Sequence, residues 1–242
     1  DITGLQTFGE EYEAGVPLGT MADWSWHSFS NPERFHLEQT LVEVAGAGGR
    51  RATYPLETQS PAAQWLRANP HQFSLGQIGL KLNGSGGARA RLDELTEIEQ
   101  TLDLWTGLLA SRFVLDGEQV TVLTACQGEA DAIAVRVEST LVAADVLTVC
   151  IAFPYPSGVF AKGFNRWDCA ERHHTEIVAA ERQRFLLRRS LDGTTYGCTI
   201  AAENGRIEAR EEHHFEILPD SGDNCLEFVV AFSEREAPAL PV

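Results

Sequence analysis

Basic residues are scarce in this chain, and their scarcity argues against two classes of partner. The 242 residues include 19 Lys and Arg against 35 Asp and Glu, which gives a formal net charge of −16 and a pI near 4.8. Such an excess of negative charge opposes association with nucleic acids and with anionic membranes. Long apolar runs are also missing, since the longest, near Val146 and Phe228, end within about eight residues and a membrane-spanning helix needs roughly 18. We therefore expect neither a nucleic-acid partner nor a membrane partner.

Cysteine is present without the spacing that a disulfide framework or a zinc site requires. The five cysteines are an odd number, lie far apart and form no C-x-x-C motif. We expect them to be unpaired and to pack as small apolar side chains. Methionine occurs only at position 21, so we expect the chain to be a processed or excised piece of a longer protein.

Motifs for nucleophilic catalysis and phosphate binding are also missing. No G-x-S-x-G segment occurs, and the glycine-rich stretches at residues 45–49 and 83–87 do not lead from a strand into a helix. Carboxylates are so abundant that no general acid and base pair stands out. The sequence therefore indicates no cofactor and assigns no catalytic residue.

What the sequence does contain is a regular succession of short β-strand patterns. Three dipeptides that favour tight hairpin turns lie between strand-like runs, namely Asp116-Gly117, Asp192-Gly193 and Asn204-Gly205. Further runs with a period of two occupy residues 131–139, 146–153, 176–181, 214–218 and 225–233. Several runs are apolar on both faces, which favours stacked sheets. We predict an all-β fold, an antiparallel two-sheet sandwich with less than about 15% helix.

One short helix is predicted near residues 61–69. Ser60 can cap it, Pro61 suits its first position, and Pro70 stops it. The sandwich domain should cover residues 1–233. The charged, proline-containing segment 234–242 is typical of a linker or tail.

Aromatic residues are concentrated in residues 17–35, where we place a candidate sugar-binding site. Flat rings stack on the C–H faces of sugars while nearby polar groups bond the hydroxyls. The candidate binding residues are Asp23, Trp24, Trp26 and His27. Alternation puts the two tryptophans on one side of the chain and the histidine on the other. The alternative is that the tryptophans simply belong to the core.

Residues 166–177 form a second polar cluster that includes two adjacent histidines. Neighbouring residues of an extended chain point in opposite directions, so His173 and His174 cannot easily share a metal ion. Cys169 and His173 are a conceivable ligand pair, but no further ligands are visible nearby. We therefore expect no metal site.

Four segments resemble the six-hairpin glycosidase-like proteins of bacteria. They are DITGLQTF at the start, VPLGTMADWSWHSF, SPAAQWLRANPHQFSLGQIGL and FPYPSG at residues 153–158. The resemblance implies an N-terminal β-supersandwich domain that precedes a helical toroid, with the catalytic carboxylates in the toroid. The chain would then be the noncatalytic, carbohydrate-associated domain of a glycoside hydrolase, and residues 237–242 would begin the linker. Its partners would be carbohydrate and the toroid, and the WSWHSF segment would face the sugar site.

A similar sandwich occurs in galactose mutarotase-like proteins, and this leaves a rival function open. Aldose epimerases of that kind use a histidine acid and a carboxylate base. The nearest candidates here are His173 or His174 with Glu171 or Glu176. A purely structural packing domain is the third possibility. The resemblance places the chain in the periplasm or outside the cell only if the parent protein carries a signal peptide.

Overall fold

The chain folds as an antiparallel all-β sandwich. The structure, a computed structural model, describes residues 2–4, 6–11, 19–84, 87–158 and 165–238. Strands make up 51% and helical segments 12%. The predicted fold class and the low helix content are therefore confirmed.

The described residues form eighteen strands and two α-helices. The strands are β1 Trp26–His27, β2 Leu41–Ala45, β3 Arg51–Pro55, β4 His71–Gln72, β5 Gln77–Leu82, β6 Thr96–Asp103, β7 Leu108–Leu115, β8 Glu118–Cys126, β9 Ala132–Glu138, β10 Leu147–Ala152, β11 Tyr155–Pro156, β12 Asn165–Arg166, β13 His173–Glu181, β14 Arg184–Leu191, β15 Thr194–Ala202, β16 Gly205–Glu211, β17 His214–Pro219 and β18 Cys225–Ser233. The helices are α1 Pro61–Ala68 and α2 Thr140–Ala143. Single 3-10 turns occupy Gly9–Glu11, Leu37–Thr40, Ala47–Gly49, Leu92–Glu94 and Ala170–Arg172.

Two antiparallel sheets of unequal size build the sandwich. The large sheet has eight strands in the order β13-β14-β15-β18-β9-β8-β7-β6, and the small sheet has four in the order β16-β17-β10-β5. Three short pairs, β1 with β4, β2 with β3, and β11 with β12, complete the described topology.

The core lies between the two sheets and follows the alternation of the strands. In β8 of the large sheet, Val120 and Val122 are buried while the residues beside them are more exposed. In β10 of the small sheet, Val149 is buried in the same way. Phe185 and Phe215 make an edge-on ring contact between the sheets at 6.0 Å. Burial of such apolar side chains contributes about 1.5 to 3 kcal/mol each, so this layer holds the sheets together.

Helix α1 forms where the sequence predicts it, and for the predicted reason. The Ser60 hydroxyl accepts a hydrogen bond from the Ala63 amide at 3.2 Å, and Pro61 occupies the first turn, where it has no hydrogen bond to lose. Helix α2, a single capped turn after Ser139, was not predicted. Among the described residues, no helix has both the length and the apolar character that crossing a bilayer would demand.

Two of the three predicted hairpins are confirmed and one is wrong. Asp116-Gly117 joins β7 to β8, and Asp192-Gly193 joins β14 to β15, each pair being antiparallel neighbours. Asn204-Gly205 instead connects β15 in the large sheet to β16 in the small sheet. The turn reverses the chain locally, but β15 pairs with β18 and β16 pairs with β17. Tertiary pairing of the strands therefore overrides the local hairpin signal.

The other predicted strands all form, with small shifts at their ends. Four of them, β9, β10, β17 and β18, begin and end within one residue of the predicted limits. Strand β13 begins at His173, three residues before the predicted start at 176. All five cysteines are free, and Cys169 and Cys198 are buried.

The described part of the predicted tail packs against the large sheet. The Thr199 hydroxyl donates to the Pro238 carbonyl at 2.6 Å. The backbone of Ala237 lies so close to Gly197 that a Cβ added to Gly197 would be 2.2 Å from the Ala237 nitrogen. Residues 239–242 of the predicted linker lie outside the described residues. The boundary at residue 233 stays a prediction.

The Gly205 corner provides a test of this topology. A Cβ at position 205 would lie 2.5 Å from the Leu218 carbonyl oxygen and 2.8 Å from a Leu226 methyl group. We predict that Gly205→Ala lowers the free energy of unfolding by about 1 to 3 kcal/mol, because β16 and β17 must move apart. Gly193→Ala is the control, since nothing lies within 4 Å of its added Cβ. Urea unfolding of both variants measures the difference, and equal stabilities would contradict the close approach.

Candidate functional site

The two tryptophans of the predicted sugar-binding segment make different contacts. Trp26 in β1 is 51% exposed, and its indole Nε1 donates to the carbonyl of the exposed Asp23 at 2.9 Å. Trp24 is half-buried: its Nε1 donates to Asp131 Oδ2 at 2.6 Å, and its ring lies 6.2 Å from that of Tyr196. Trp26 is thus available at the surface, whereas Trp24 packs against the core.

His27, the fourth predicted residue, points inward on the other side of β1 and belongs to a buried polar chain. Its Nδ1 lies 3.1 Å from His71 Nε2, and its Nε2 lies 2.9 Å from Asp192 Oδ2. His71 continues the chain through Nδ1 to the Ala68 carbonyl at 2.7 Å. At the other end, the Tyr155 hydroxyl donates to the same Asp192 oxygen at 2.6 Å.

The contacts fix the tautomer of His71 and leave His27 between two acceptors. The Ala68 carbonyl can only accept, so His71 carries its proton on Nδ1 and its Nε2 can accept from His27 Nδ1. Asp192 Oδ2 can accept from His27 Nε2 at the other side of the ring. A neutral His27 carries one proton and can donate it to one of these two acceptors at a time.

The surroundings of the His27–Asp192 pair are mainly aromatic. Burial lowers the pKa of His27, as does the nearby His71, while the hydrogen bond and charge of Asp192 act to raise it. Burial and the Asp192 carboxylate raise the pKa of the Tyr155 hydroxyl. The guanidinium of Arg172 stacks on the Tyr155 ring at 4.4 Å. The side chain of Asp192 is 15% exposed and that of His27 is fully buried, so solvent reaches the pair at Asp192.

A second buried cluster surrounds Arg189, which has no exposed surface. Its Nη2 donates to His173 Nδ1, and its Nη1 donates to the Thr175 hydroxyl and, at 3.2 Å, to His213 Nδ1. The rings of His173 and His213 stack 3.8 Å apart. The guanidinium also lies 5.0 Å from the centre of the Phe153 ring. Among the described residues, no carboxylate forms an ion pair with this buried cation.

Burial and the Arg189 charge keep both histidines of this cluster neutral. They lower the pKa of His173 to about 3 and shift the pKa of His213 in the same direction. His174, the next residue, is exposed and contacts Glu212 at 2.6 Å. The prediction that His173 and His174 point in opposite directions is confirmed.

The third feature is a cleft of about 720 Å³ on the outer face of the small sheet. Its floor consists of the outward-facing side chains of β5, β10 and β17, and its wall includes β12 and the residue after it. The polar and aromatic side chains that line it include Gln77, Lys81, Asn165, Trp167, Arg210, His214 and Glu216. We call this feature the cleft.

An aromatic pair forms one wall of the cleft. Trp167 is 48% exposed, and its ring lies 5.9 Å from that of His214 at an angle of 32°. The His214 ring contacts the indole, and about half of the Trp167 side chain is left exposed in a concave site. The exposed part of the indole can stack against the flat face of a ligand.

The floor of the cleft is polar and fixed by ion pairs. Lys81 Nζ donates to Glu216 Oε1, and Arg210 Nε donates to Glu216 Oε2 at 2.7 Å. Burial acts to raise the pKa of Glu216, but the hydrogen bonds and charges of Lys81 and Arg210 outweigh it and lower that pKa. The carboxylate is therefore ionised and held in one orientation.

An amide on the cleft wall leaves one acceptor unused. Asn165 Nδ2 donates to Gln77 Oε1 at 3.3 Å, and Gln77 Nε2 donates to the Gln6 carbonyl at 2.6 Å. Asn165 Oδ1 is buried and has no partner among the described residues. Buried polar atoms are normally paired, so a hydrogen-bond donor from a ligand would complete this group.

None of the four predicted binding residues lines the cleft, and no local sequence pattern predicts its floor. The cleft joins positions far apart in the chain, and a charged residue alternating with apolar ones, as Lys81 does in β5, is typical of any solvated strand face. Trp167 belongs to the polar segment 166–177 and His214 to the strand-like run 214–218, and neither segment alone indicates a binding site. Of the predicted epimerase carboxylates, Glu171 is exposed and Glu176 pairs with Arg188 at 3.0 Å.

Within the described ranges, no three His, Cys, Asp or Glu side chains converge on a point where a cation could bind. The chain matches no protein-family model and no curated protein.

The His27–Asp192 contact yields a stability prediction. Asp192 and Asp145 both have a left-handed backbone conformation, with φ of 48° and 56°. Alanine disfavours this conformation at both positions, but only Asp192→Ala leaves the buried His27 and Tyr155 groups without the carboxylate that they contact. We predict that Asp192→Ala destabilises the fold by about 2 to 4 kcal/mol more than Asp145→Ala. Parallel urea titrations measure this difference, and equal losses would show that the buried chain contributes nothing.

Proposed function

We propose that this chain is a noncatalytic, carbohydrate-associated β-sandwich domain that binds a saccharide in the cleft. The observation that carries the proposal is Trp167, which is half exposed on the wall of a concave polar site. The sugar would stack one face of its ring on the indole. Its hydroxyls would meet Glu216, the remaining donors of Lys81 and Arg210, and the unused acceptor of Asn165.

The chemistry of the cleft favours a sugar over a purely apolar ligand. A pyranose has weakly apolar C–H faces and a rim of hydroxyls that both donate and accept, so it needs a flat apolar surface beside fixed polar groups. The cleft supplies an indole beside an ionised carboxylate, two cations and an amide. Because the ion pairs hold Lys81, Arg210 and Glu216 in place, little side-chain freedom would be lost on binding.

The state of Glu216 supports binding rather than cleavage. A glycosidase needs a carboxylic acid that is protonated at working pH so that it can donate to the leaving oxygen. The pKa of Glu216 is shifted the other way by Lys81 and Arg210, so this carboxylate accepts hydrogen bonds and does not donate a proton.

The resemblance to six-hairpin glycosidase-like proteins supports the wider setting of the proposal. In that setting a helical toroid supplies the catalytic carboxylates and faces the WSWHSF segment, so the cleft would be a separate, open site of this domain. Such a site would bind saccharides in the millimolar range, about −4 kcal/mol.

Replacement of Trp167 tests the proposal directly. We predict that Trp167→Ala abolishes the chemical-shift changes caused by binding of cellotetraose, maltotetraose or xylotetraose, with little change in melting temperature because the side chain is half exposed. Trp105→Ala is the matched control, since Trp105 is 96% exposed on the turn between β6 and β7 and lies outside the cleft. It should leave binding unchanged.

Trp26→Ala separates the cleft from the aromatic segment identified in the sequence. Loss of binding in Trp26→Ala but not in Trp167→Ala would move the site to residues 23–27. No binding by any oligosaccharide would leave the purely structural packing domain as the better description.

Aldose epimerisation is a second candidate, favoured by one observation. A histidine and a carboxylate are in hydrogen-bond contact in the His27–Asp192 pair, and solvent reaches the pair at Asp192. If this pair were catalytic, the chain would accelerate the mutarotation of freshly dissolved α-glucose, and Asp192→Asn would remove the acceleration. Polarimetry decides between the candidates, because the binding proposal predicts the uncatalysed rate for both proteins.

A further inference from the structure

Arg189 is a buried cation whose hydrogen bonds go to neutral groups. Two of the acceptors are the Nδ1 atoms of His173 and His213, and the third is the Thr175 hydroxyl. A buried charge is normally neutralised by a carboxylate, because its removal from water is costly. Here the guanidinium has no carboxylate among the described residues and instead donates hydrogen bonds to the lone pairs of two imidazoles. These bonds require both imidazoles to be neutral.

The contacts assign the tautomer of His213. Its Nδ1 accepts from the Thr175 hydroxyl at 2.7 Å and from Arg189, so its proton lies on Nε2 and is donated to the Ala170 carbonyl at 3.1 Å. A second proton on Nδ1 would point at donors and add a positive charge beside the guanidinium. Protonation therefore breaks the contacts on which the cluster depends.

The hydrogen bond from His213 to Ala170 joins the two segments that carry the aromatic wall of the cleft. Trp167 lies three residues before Ala170, and His214 directly follows His213. Protonation at Nδ1 leaves the Nε2–H of His213 in place, and the bond to Ala170 acts to raise the pKa of His213. The bond therefore ties the Trp167–His214 ring contact to the position of the His213 ring, and repulsion of a protonated His213 by Arg189 would displace both.

We propose that Arg189, His173 and His213 form an acid-sensitive latch that holds the Trp167 wall of the cleft in place and releases it when the histidines are protonated. This regulation rests on the proposed function for its effect on saccharide binding. The movement of Trp167 does not depend on any ligand.

The other titratable groups around the latch are few. Tyr196 and Cys198 from β15 are buried, and burial raises the pKa of both, so they stay neutral. The Tyr155 ring lies 5.8 Å from His173. Two exposed pairs, His174 with Glu212 and His214 with Glu211 at 3.6 Å, would strengthen when their histidines become protonated. Exposed pairs are weak compared with a buried charge, so they oppose the release only slightly.

The direction of the pH effect follows from the low pKa of the two latched histidines. In an open state they would titrate near 6.5, so the open state binds more protons below that pH. Each pH unit below about 6.5 then favours opening roughly tenfold through His173, and His213 acts in the same direction. The latch is closed at neutral pH and weakens as the solution becomes acidic.

Fluorine NMR of the chain labelled with 5-fluorotryptophan tests the movement directly. The Trp167 resonance is assigned from Trp167→Phe. We expect it to move toward the position of a solvent-exposed indole between pH 7.5 and 5.0, while the Trp105 resonance stays constant. A Trp167 resonance that does not change over this range overturns the proposal.

Asparagine at both latch positions removes the titration while keeping an amide oxygen that can accept from Arg189. The His173→Asn, His213→Asn double variant should show a Trp167 resonance that no longer depends on pH. His36→Asn is the control, because His36 is exposed and pairs with Glu38 outside the cleft, and it should behave as the parent chain. A pH response that survives in the double variant contradicts the latch.

If the double variant does not fold, the unaltered chain still provides a test. Nitrogen-15 NMR of its imidazoles should show His173 and His213 as neutral Nε2–H tautomers at pH 6, and histidines that titrate near 6.5 in the folded protein would overturn the proposal.

Titrations with the oligosaccharides distinguish failure of the latch from failure of the proposed saccharide binding. Affinity that falls roughly tenfold or more from pH 7.5 to 5.0 supports both. Binding that does not depend on pH overturns the latch alone. Movement of Trp167 without binding of any oligosaccharide supports the latch and overturns the saccharide site.

Discussion

The buried guanidinium of Arg189 is the constraint on which the structure beside the cleft depends. It has no exposed surface and no carboxylate partner among the described residues, so β13 and the residue before β17 must present neutral acceptors to it. That requirement fixes the tautomer of His213 and its bond to Ala170. The position of the Trp167 and His214 rings then follows, because both are attached to the segments that this bond joins.

The strands could be predicted because their signals are local. Alternation of apolar and polar residues shows which face of β18 or β9 is buried, and Asp-Gly dipeptides mark two of the turns. The hairpin predicted from Asn204-Gly205 is wrong, because a turn dipeptide indicates that the chain reverses but does not indicate which strands pair with each other. That choice is made by β17 and β18, whose contacts with β16 and β15 are encoded elsewhere in the sequence.

The cleft could not be predicted, for a different physical reason. Its chemistry arises where β5, β10 and β17 lie side by side, and no single segment contains more than part of it. Residues 17–35 attract notice because they contain many aromatic residues. That number does not reveal that Trp24 donates a hydrogen bond to Asp131, more than one hundred residues away. One signal was available and unused: Arg189 shares its strand face with Leu187 and Leu191, so alternation alone places an arginine inside the core.

The two buried histidine clusters show how neighbours decide what the same residue type does. His27 faces a carboxylate, whose charge acts to raise its pKa, whereas His213 faces a guanidinium, whose charge acts to lower it. Tyr155 connects the two clusters, since its hydroxyl bonds Asp192 while its ring packs 5.8 Å from His173. A proton added to His27 would be attracted by the Asp192 carboxylate, whereas a proton added to His213 would be repelled by Arg189. Acid therefore strengthens the contact at Asp192 and weakens the Arg189 cluster, which lies beside the wall of the cleft.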